Sequence, residues 1–176
     1  MEPIHRRSPV SLPATPLRFE DRHGWRVIRE FENETVPNRL IDVSHQPRWD
    51  IQEPGPTDGL PPQLEVPPEP GSVRISADFL TARLNRSQAA VWQLRGEPAA
   101  MQHPSITAIT EATVLMALIG PCAGAILEKL TALDVAGPAL QPPCVLQAPL
   151  GHVTVQLAVL GRGDAFLIAG PRGYAR

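Results

Sequence analysis

The sequence predicts an α+β domain with a mixed or antiparallel sheet and few helices, and three observations carry that prediction. Apolar residues recur at period two in short runs, most cleanly at Val153, Val155, Leu157 and Val159. One uncharged run, beginning at Thr113, breaks at Gly120-Pro121 and continues at helical spacing. Proline supplies 21 of the 176 residues, far above the usual share of about 5%. The prolines gather where the periodic runs stop, so they mark joints. The length itself suits a single domain with a real core.

In order, residues 1–18 carry Pro3, Pro9, Pro13 and Pro16 with little periodicity, which predicts an extended arm ahead of a domain over 19–176. Arg22–Phe31 places Trp25, Val27 and Phe31 at strand parity. Leu40, Ile41 and Val43 form a second short strand. A third follows at Trp49 and Ile51, which alternate with Arg48, Asp50 and Gln52. Between them Ser44-His45-Gln46-Pro47 makes a polar corner. The 53–70 segment contains seven prolines and cannot be helical, because each interior proline removes a donor and clashes with the preceding turn. It reads as a surface loop, a polyproline-like connector or a strap for a partner.

Val73 and Ile75 alternate with Arg74 and Ser76, and Phe79–Leu84 with Ala89–Leu94 reads as a hairpin, a helix over Ala77–Leu84 being the competitor. After a loop over Gly96–Pro104, the Thr113–Ile119 run reads as a buried strand feeding a helix. Pro121 suits the first turn of that helix. Ile126, Leu127, Leu130 and Leu133 would form its buried stripe, with Glu128 and Lys129 facing away. Ala136–Pro149 reads as a loop, and the 153–159 strand returns through Gly161-Arg162-Gly163-Asp164 into Ala165–Ala169. A glycine turn accounts for the Arg-Gly-Asp triplet, and His152 falls on the polar face of its strand.

Composition excludes several classes. Net charge is −2 and basic residues are scattered among only three Trp, one Tyr and four Phe, so nucleic acid is a poor partner. No uncharged apolar run reaches the roughly 18 residues of a membrane helix. The charged N-terminal stretch lacks the apolar core of a secretory signal, so the expectation is a cytoplasmic protein away from membranes. Two cysteines, Cys122 and Cys144, cannot hold a metal by themselves. Cys122 reads as a small buried residue in the helix-opening turn rather than an activated thiol. Asp42, Ser44 and His45 crowd at the corner, but they are too close in sequence for a nucleophilic triad. A turn in which Asp42 and Ser44 satisfy their own backbone is the simpler account.

Four blocks resemble, in order, the glycine-cleavage T-protein family. Leu40-Ile41-Asp42-Val43-Ser44-His45 with Trp49-Asp50-Ile51 resembles its D-V-S-H strand turn. Asp78-Phe79-Leu80-Thr81-Ala82-Arg83-Leu84 is similar to D-x-x-x-x-R-L. Leu118-Ile119-Gly120-Pro121 followed by Ala125-Ile126-Leu127 resembles L-Q-G-P…A…V-L. Phe166 to Ala175 resembles F-x-L-x-V-P-R-S-Y-A. Together they span most of 22–175. The K-G-C-Y-x-G-Q-E string of the iron–sulfur relatives is absent around both cysteines.

The resemblance implies a single domain of the aminomethyltransferase folate-binding type, similar to the gamma subunit of heterotetrameric sarcosine oxidase and the small subunit of N-methylglutamate dehydrogenase. It implies a non-catalytic, structural subunit that binds no cofactor itself. Larger flavoprotein subunits would hold FAD, FMN and tetrahydrofolate, oxidise an N-methyl amino acid and pass on its one-carbon unit. Asp78 matches the acidic position that assists the amine and contacts folate in T-proteins, so Asp78 is the candidate catalytic residue. Asp42, Ser44 and His45 are the candidate cofactor-binding residues, and no metal site is expected. Ala77 stands where a second acid is usual, Val73–Ser76 replaces the family's glycine-rich turn, and the 53–70 segment replaces a helix. The sequence closes soon after Tyr174, which leaves one sheet face expected to lie bare for a partner. Two rival readings are a small folate-binding enzyme using Asp78 and an adaptor docking through its proline-rich segments.

Overall fold

The computed structural model describes residues 5–32, 34, 37–52, 59–76 and 78–175. The chain opens with β1 (Arg6–Arg7), β2 (Pro16–Arg22) and β3 (Trp25–Phe31). These form a three-stranded sheet in the order β1-β3-β2. β2 and β3 are joined by His23-Gly24, both at positive φ (52° and 77°), as a tight hairpin of this twist requires. Within the stretch expected as an arm, Arg6, Arg7, Pro16 and Arg18 pair with the chain's own β3. Arg6 donates its N–H to Gly24 O at 2.9 Å, and residues 1–4 lie outside the described part.

Next come β4 (Arg39–Asp42), β5 (Arg48–Gln52), β6 (Val73–Ile75), β7 (Phe79–Asn85), β8 (Gln88–Gln93), β9 (Ile106–Ala108) and β10 (Thr113–Ile119). The short helix α1 (Ala123–Leu127) precedes β11 (Cys144–Leu150), β12 (Val153–Val159) and β13 (Ala165–Pro171), and a 3-10 turn covers Arg172–Tyr174. Two five-stranded sheets result, ordered β6-β7-β8-β5-β9 and β11-β12-β13-β10-β4. The expected hairpins over 79–93 and 153–169 are both present and antiparallel, the first with a register shift between Arg83 and Asn85.

The two sheets pack face to face. Leu80, Ala82, Ala90 and Trp92 from one meet Leu115, Ala117, Ala158 and Leu167 from the other. The far face of the β10–β13 sheet carries Leu118, Val155, Leu157, Val159, Phe166 and Ile168 beneath Leu127 and Val135. Burial on both faces explains why Thr113–Ile119 is apolar without alternation. The outer face of the other sheet, with Trp49, Phe79, Ala89 and Val91, is covered by Leu64 and flanked by Leu60 and Val66. The bare sheet face expected from the sequence is thus covered by the chain itself. The described part of the proline-rich segment is a strap on its own sheet: Arg83 Nε donates to Pro67 O at 3.0 Å and Thr81 Oγ1 to Glu65 O. Residues 53–58 of that segment lie outside the described part.

Further corrections concern the centre and its sequel. Helix α1 is five residues long, not the three turns that the spacing suggested. Leu130 N–H bonds Leu127 O at 2.7 Å, and Leu130 O is taken by Gly151 N–H at 2.7 Å, so the backbone leaves the helical path. Ile126, Leu130 and Leu133 consequently stay exposed, and only Ala123, Gly124 and Leu127 pack inward. Cys122 caps this helix and is exposed rather than buried. Gly120 sits at φ 138°, and a Cβ there would collide with the Pro37 carbonyl oxygen, so the Gly-Pro break is sterically demanded. Residues 144–149, expected within a loop, belong to the edge strand β11, where Pro149 is tolerated because it need not donate to a second neighbour.

Candidate functional site

The corner after β4 carries the chain from one five-stranded sheet to the other, since β4 and β5 belong to different sheets. Asp42 Oδ1 accepts the Ser44 N–H at 2.9 Å, an Asx-type turn. Ser44 is buried; its Oγ accepts the Leu115 N–H at 3.1 Å and lies 3.3 Å from Leu115 O. Both side chains are therefore spent on the backbone.

Arg48 is the residue the strand pattern misplaced. Alternation with Trp49 put it on a polar face, yet both faces of β5 are buried and Arg48 is 0% exposed. Its guanidinium donates to Thr113 Oγ1 (2.9 Å), Ser44 O (3.1 Å), Gln46 O (2.8 Å), Thr110 O (2.7 Å) and Thr113 O (2.8 Å). Among the described residues no carboxylate pairs with it. Burial lowers its pKa to about 10, against the pull of Asp42 and Glu111, so it remains a cation at neutral pH. The planar fork suits this set of carbonyls and staples the corner to the 110–113 turn.

His45 stands beside it with Nε2 buried and without a partner. Burial foremost, then Arg22, lowers its pKa to about 4, with Asp42 opposing and His23 and Arg48 adding to the fall. The ring is neutral at pH 7, with one buried nitrogen free to accept or donate. Against this corner opens a cavity of about 870 Å³ between β3, the 7–14 segment and β4; its walls include Trp25, Arg26, Arg39, Ile41, Asp42 and His45. Arg26 is held 4.1 Å over the Phe19 ring.

Asp78 opens β7 in the other sheet. It is half exposed and pairs with Arg95 at 3.3 Å, while its carbonyl accepts the Leu94 N–H at 2.7 Å. Gln93 donates to Pro47 O at 2.9 Å, so Asp78 lies toward the same end of the sandwich as the corner. No hydrogen bond or ion pair joins Asp78 to Asp42, Ser44 or His45 among the described residues. The structure brings the three corner residues together and leaves Asp78 apart; Ala77 lies outside the described part. Burial raises the Cys144 thiol pKa, which opposes thiolate chemistry. No metal-competent cluster of three His, Cys, Asp or Glu occurs among the described residues. The cavity's arginines escaped sequence reading because they come together only when the N-terminal sheet folds against β4.

No protein-family model matches the chain, and no curated protein matches it in sequence. Solved structures do match its fold. A chain of heterotetrameric sarcosine oxidase from Corynebacterium sp. U-96, determined with pyrrole 2-carboxylate, aligns with a TM-score of 0.64 at 16% identity, over 78% of this chain and 77% of that one. The glycine cleavage system aminomethyltransferase T from Bartonella henselae aligns with a TM-score of 0.57 at 20% identity, over 90% of this chain. This chain spans about half (51%) of the aminomethyltransferase's length. The fold is thus of the aminomethyltransferase type that the four sequence blocks implied. No helix among the described residues is long and apolar enough to cross a membrane.

Proposed function

We propose that this chain is a structural, gamma-type subunit of a heteromeric flavin-dependent N-methyl amino acid oxidase or dehydrogenase. The observation that carries the reading is the structural match. Over 78% of its own length the chain aligns with a chain of a heterotetrameric sarcosine oxidase at a TM-score of 0.64, against 0.57 for the aminomethyltransferase of a glycine cleavage system. In this reading the larger flavoprotein subunits hold FAD, FMN and tetrahydrofolate, and this chain supplies assembly. Of the candidate groups, Asp42 and Ser44 bond the backbone and Asp78 pairs with Arg95, while His45 Nε2 is buried without a partner.

The test is purification of the tagged chain from its native cell. Larger, yellow, flavin-absorbing subunits in fixed stoichiometry are expected by mass spectrometry. A stable, monodisperse monomer with no flavoprotein attached would overturn the proposal.

The cavity beside His45 favours a second reading, a small folate-binding enzyme, because the site is concave and has polar groups in its wall. Calorimetric titration with tetrahydrofolate, on the native chain and on His45→Gln, a change in the cavity wall, separates the two. Binding heat that the substitution diminishes supports the enzyme; no heat supports the subunit. The adaptor reading loses ground because the described part of the proline-rich segment packs on its own sheet.

A further inference from the structure

We infer that the N-terminal sheet is a lid over the 44–47 corner, released when the His45 ring takes up a proton. The device stands apart from the subunit reading and holds whether or not that reading does.

The sheet is tied to the sandwich through weak, polar links. Trp25 and Val27 are buried in it, yet neither joins the three apolar clusters of the sandwich; Trp25 instead has Arg6 over its ring at 5.9 Å. The links include Arg6 with Glu111 at 3.4 Å and His23 with Glu97 at 3.3 Å. Ser11 also donates its N–H to Ala175 O at 3.3 Å. Exposed ion pairs of this kind hold weakly. β2 and β3 pair with each other, but a two-stranded hairpin is marginally stable at best without a supporting layer. A hairpin that leaves the corner therefore unravels.

His45 lines the same cavity as Trp25 and Val27, and its Nε2 is buried without a partner. The β2–β3 hairpin presents Arg22 and His23 to the ring, β5 presents Arg48, and β4 presents Asp42, the one acid of the four. Elsewhere in the wall Arg7, Arg26, Arg29 and Arg39 stand near Glu32 and Glu34, and Arg29 is paired with Glu20. Charge beyond the ring's own neighbours is thus close to balanced. A proton on His45 is added among cations and away from water. Release of the hairpin removes Arg22 and His23 and lets water reach the ring, so the released form binds that proton more tightly and acid favours release. The closed form holds the ring at a pKa of about 4, against about 6.5 for a free ring. Its advantage is whole above about pH 6.5 and is lost as pH falls toward 4. Between pH 7.5 and 5 this ring alone raises the ratio of released to closed chain about thirtyfold. His5 and His23 act the other way, since their pairs with Asp21 and Glu97 need a charged ring.

Hydrogen exchange tests the lid on the native chain and on His45→Gln, which keeps a polar side chain but cannot take a charge. Protection factors of the β2–β3 amides, each corrected for the free-chain rate at the same pH, are compared at pH 7.5 and 5. The drop in protection is expected to be about thirtyfold greater in the native chain than in His45→Gln, because His5 and His23 contribute alike to both. The β2–β3 amides should also be less protected than those of β7–β8, which lie inside their five-stranded sheet. Equal drops in the two proteins overturn the lid. So does equal protection of the two hairpins, which would mean that the small sheet leaves only when the whole molecule unfolds. A second readout needs no variant. Followed by proton NMR in the native chain, the His45 ring should titrate at least about one unit below a free ring; titration near a free ring's value would show that the corner is already open, and overturns the proposal.

Discussion

Arg48 holds the corner as a buried cation whose partners are carbonyls rather than a carboxylate. Truncating it to Met orphans four carbonyl oxygens, of Ser44, Gln46, Thr110 and Thr113, and each unsatisfied buried acceptor costs about 1–3 kcal/mol before relaxation. Arg48→Met is expected to lower stability by about 3–4 kcal/mol in urea unfolding. Arg48→Lys should recover little, because one compact ammonium cannot span acceptors on both turns; full recovery would mean that charge alone is needed. His45 makes stability depend on acid. Its folded pKa is about 4 and its unfolded value about 6.5, so between those values the unfolded chain binds more protons. His45's contribution is whole above about pH 6.5 and is lost as pH falls toward 4. Melting temperatures across that window should decline more steeply for the native chain than for His45→Gln; parallel slopes would show that the ring titrates normally.

At the scale of elements, the Thr113–Leu133 stretch shows where pattern and packing part. Its strand is apolar because two layers cover it, and Gly120 ends it because the Pro37 carbonyl leaves no room for a Cβ. Helical spacing over Ile126, Leu127, Leu130 and Leu133 suggested four buried positions, but only Leu127, at 1% exposure, is in the core. Leu127→Ala should therefore cost about 2–5 kcal/mol and Leu130→Ala less than about 0.5 kcal/mol in chemical denaturation. Equal costs would restore the longer helix. Edge position also decides β11: Pro149 and the exposed Gln147 interrupt its apolar pattern, and only its pairing with β12 reveals it.

At the scale of the molecule, the layers are strap, sheet, sheet and helix, with the small N-terminal sheet beside β4. Apolar runs, period-two alternation and the proline joints already specified the hairpins, the central strand, the corner between β4 and β5, and the fold class, because those features depend on neighbours in sequence and on which faces are dry. The Asp42–Ser44 turn was legible for the same reason, being closed within two residues. Three things were decided only by tertiary structure. They are the burial of Arg48, fixed by turns 62 to 65 residues away; the early end of α1, fixed by Gly151; and the cavity between β3 and β4. Each arises from partners distant in the chain, and periodicity, which reports only local neighbours, carries no record of such partners.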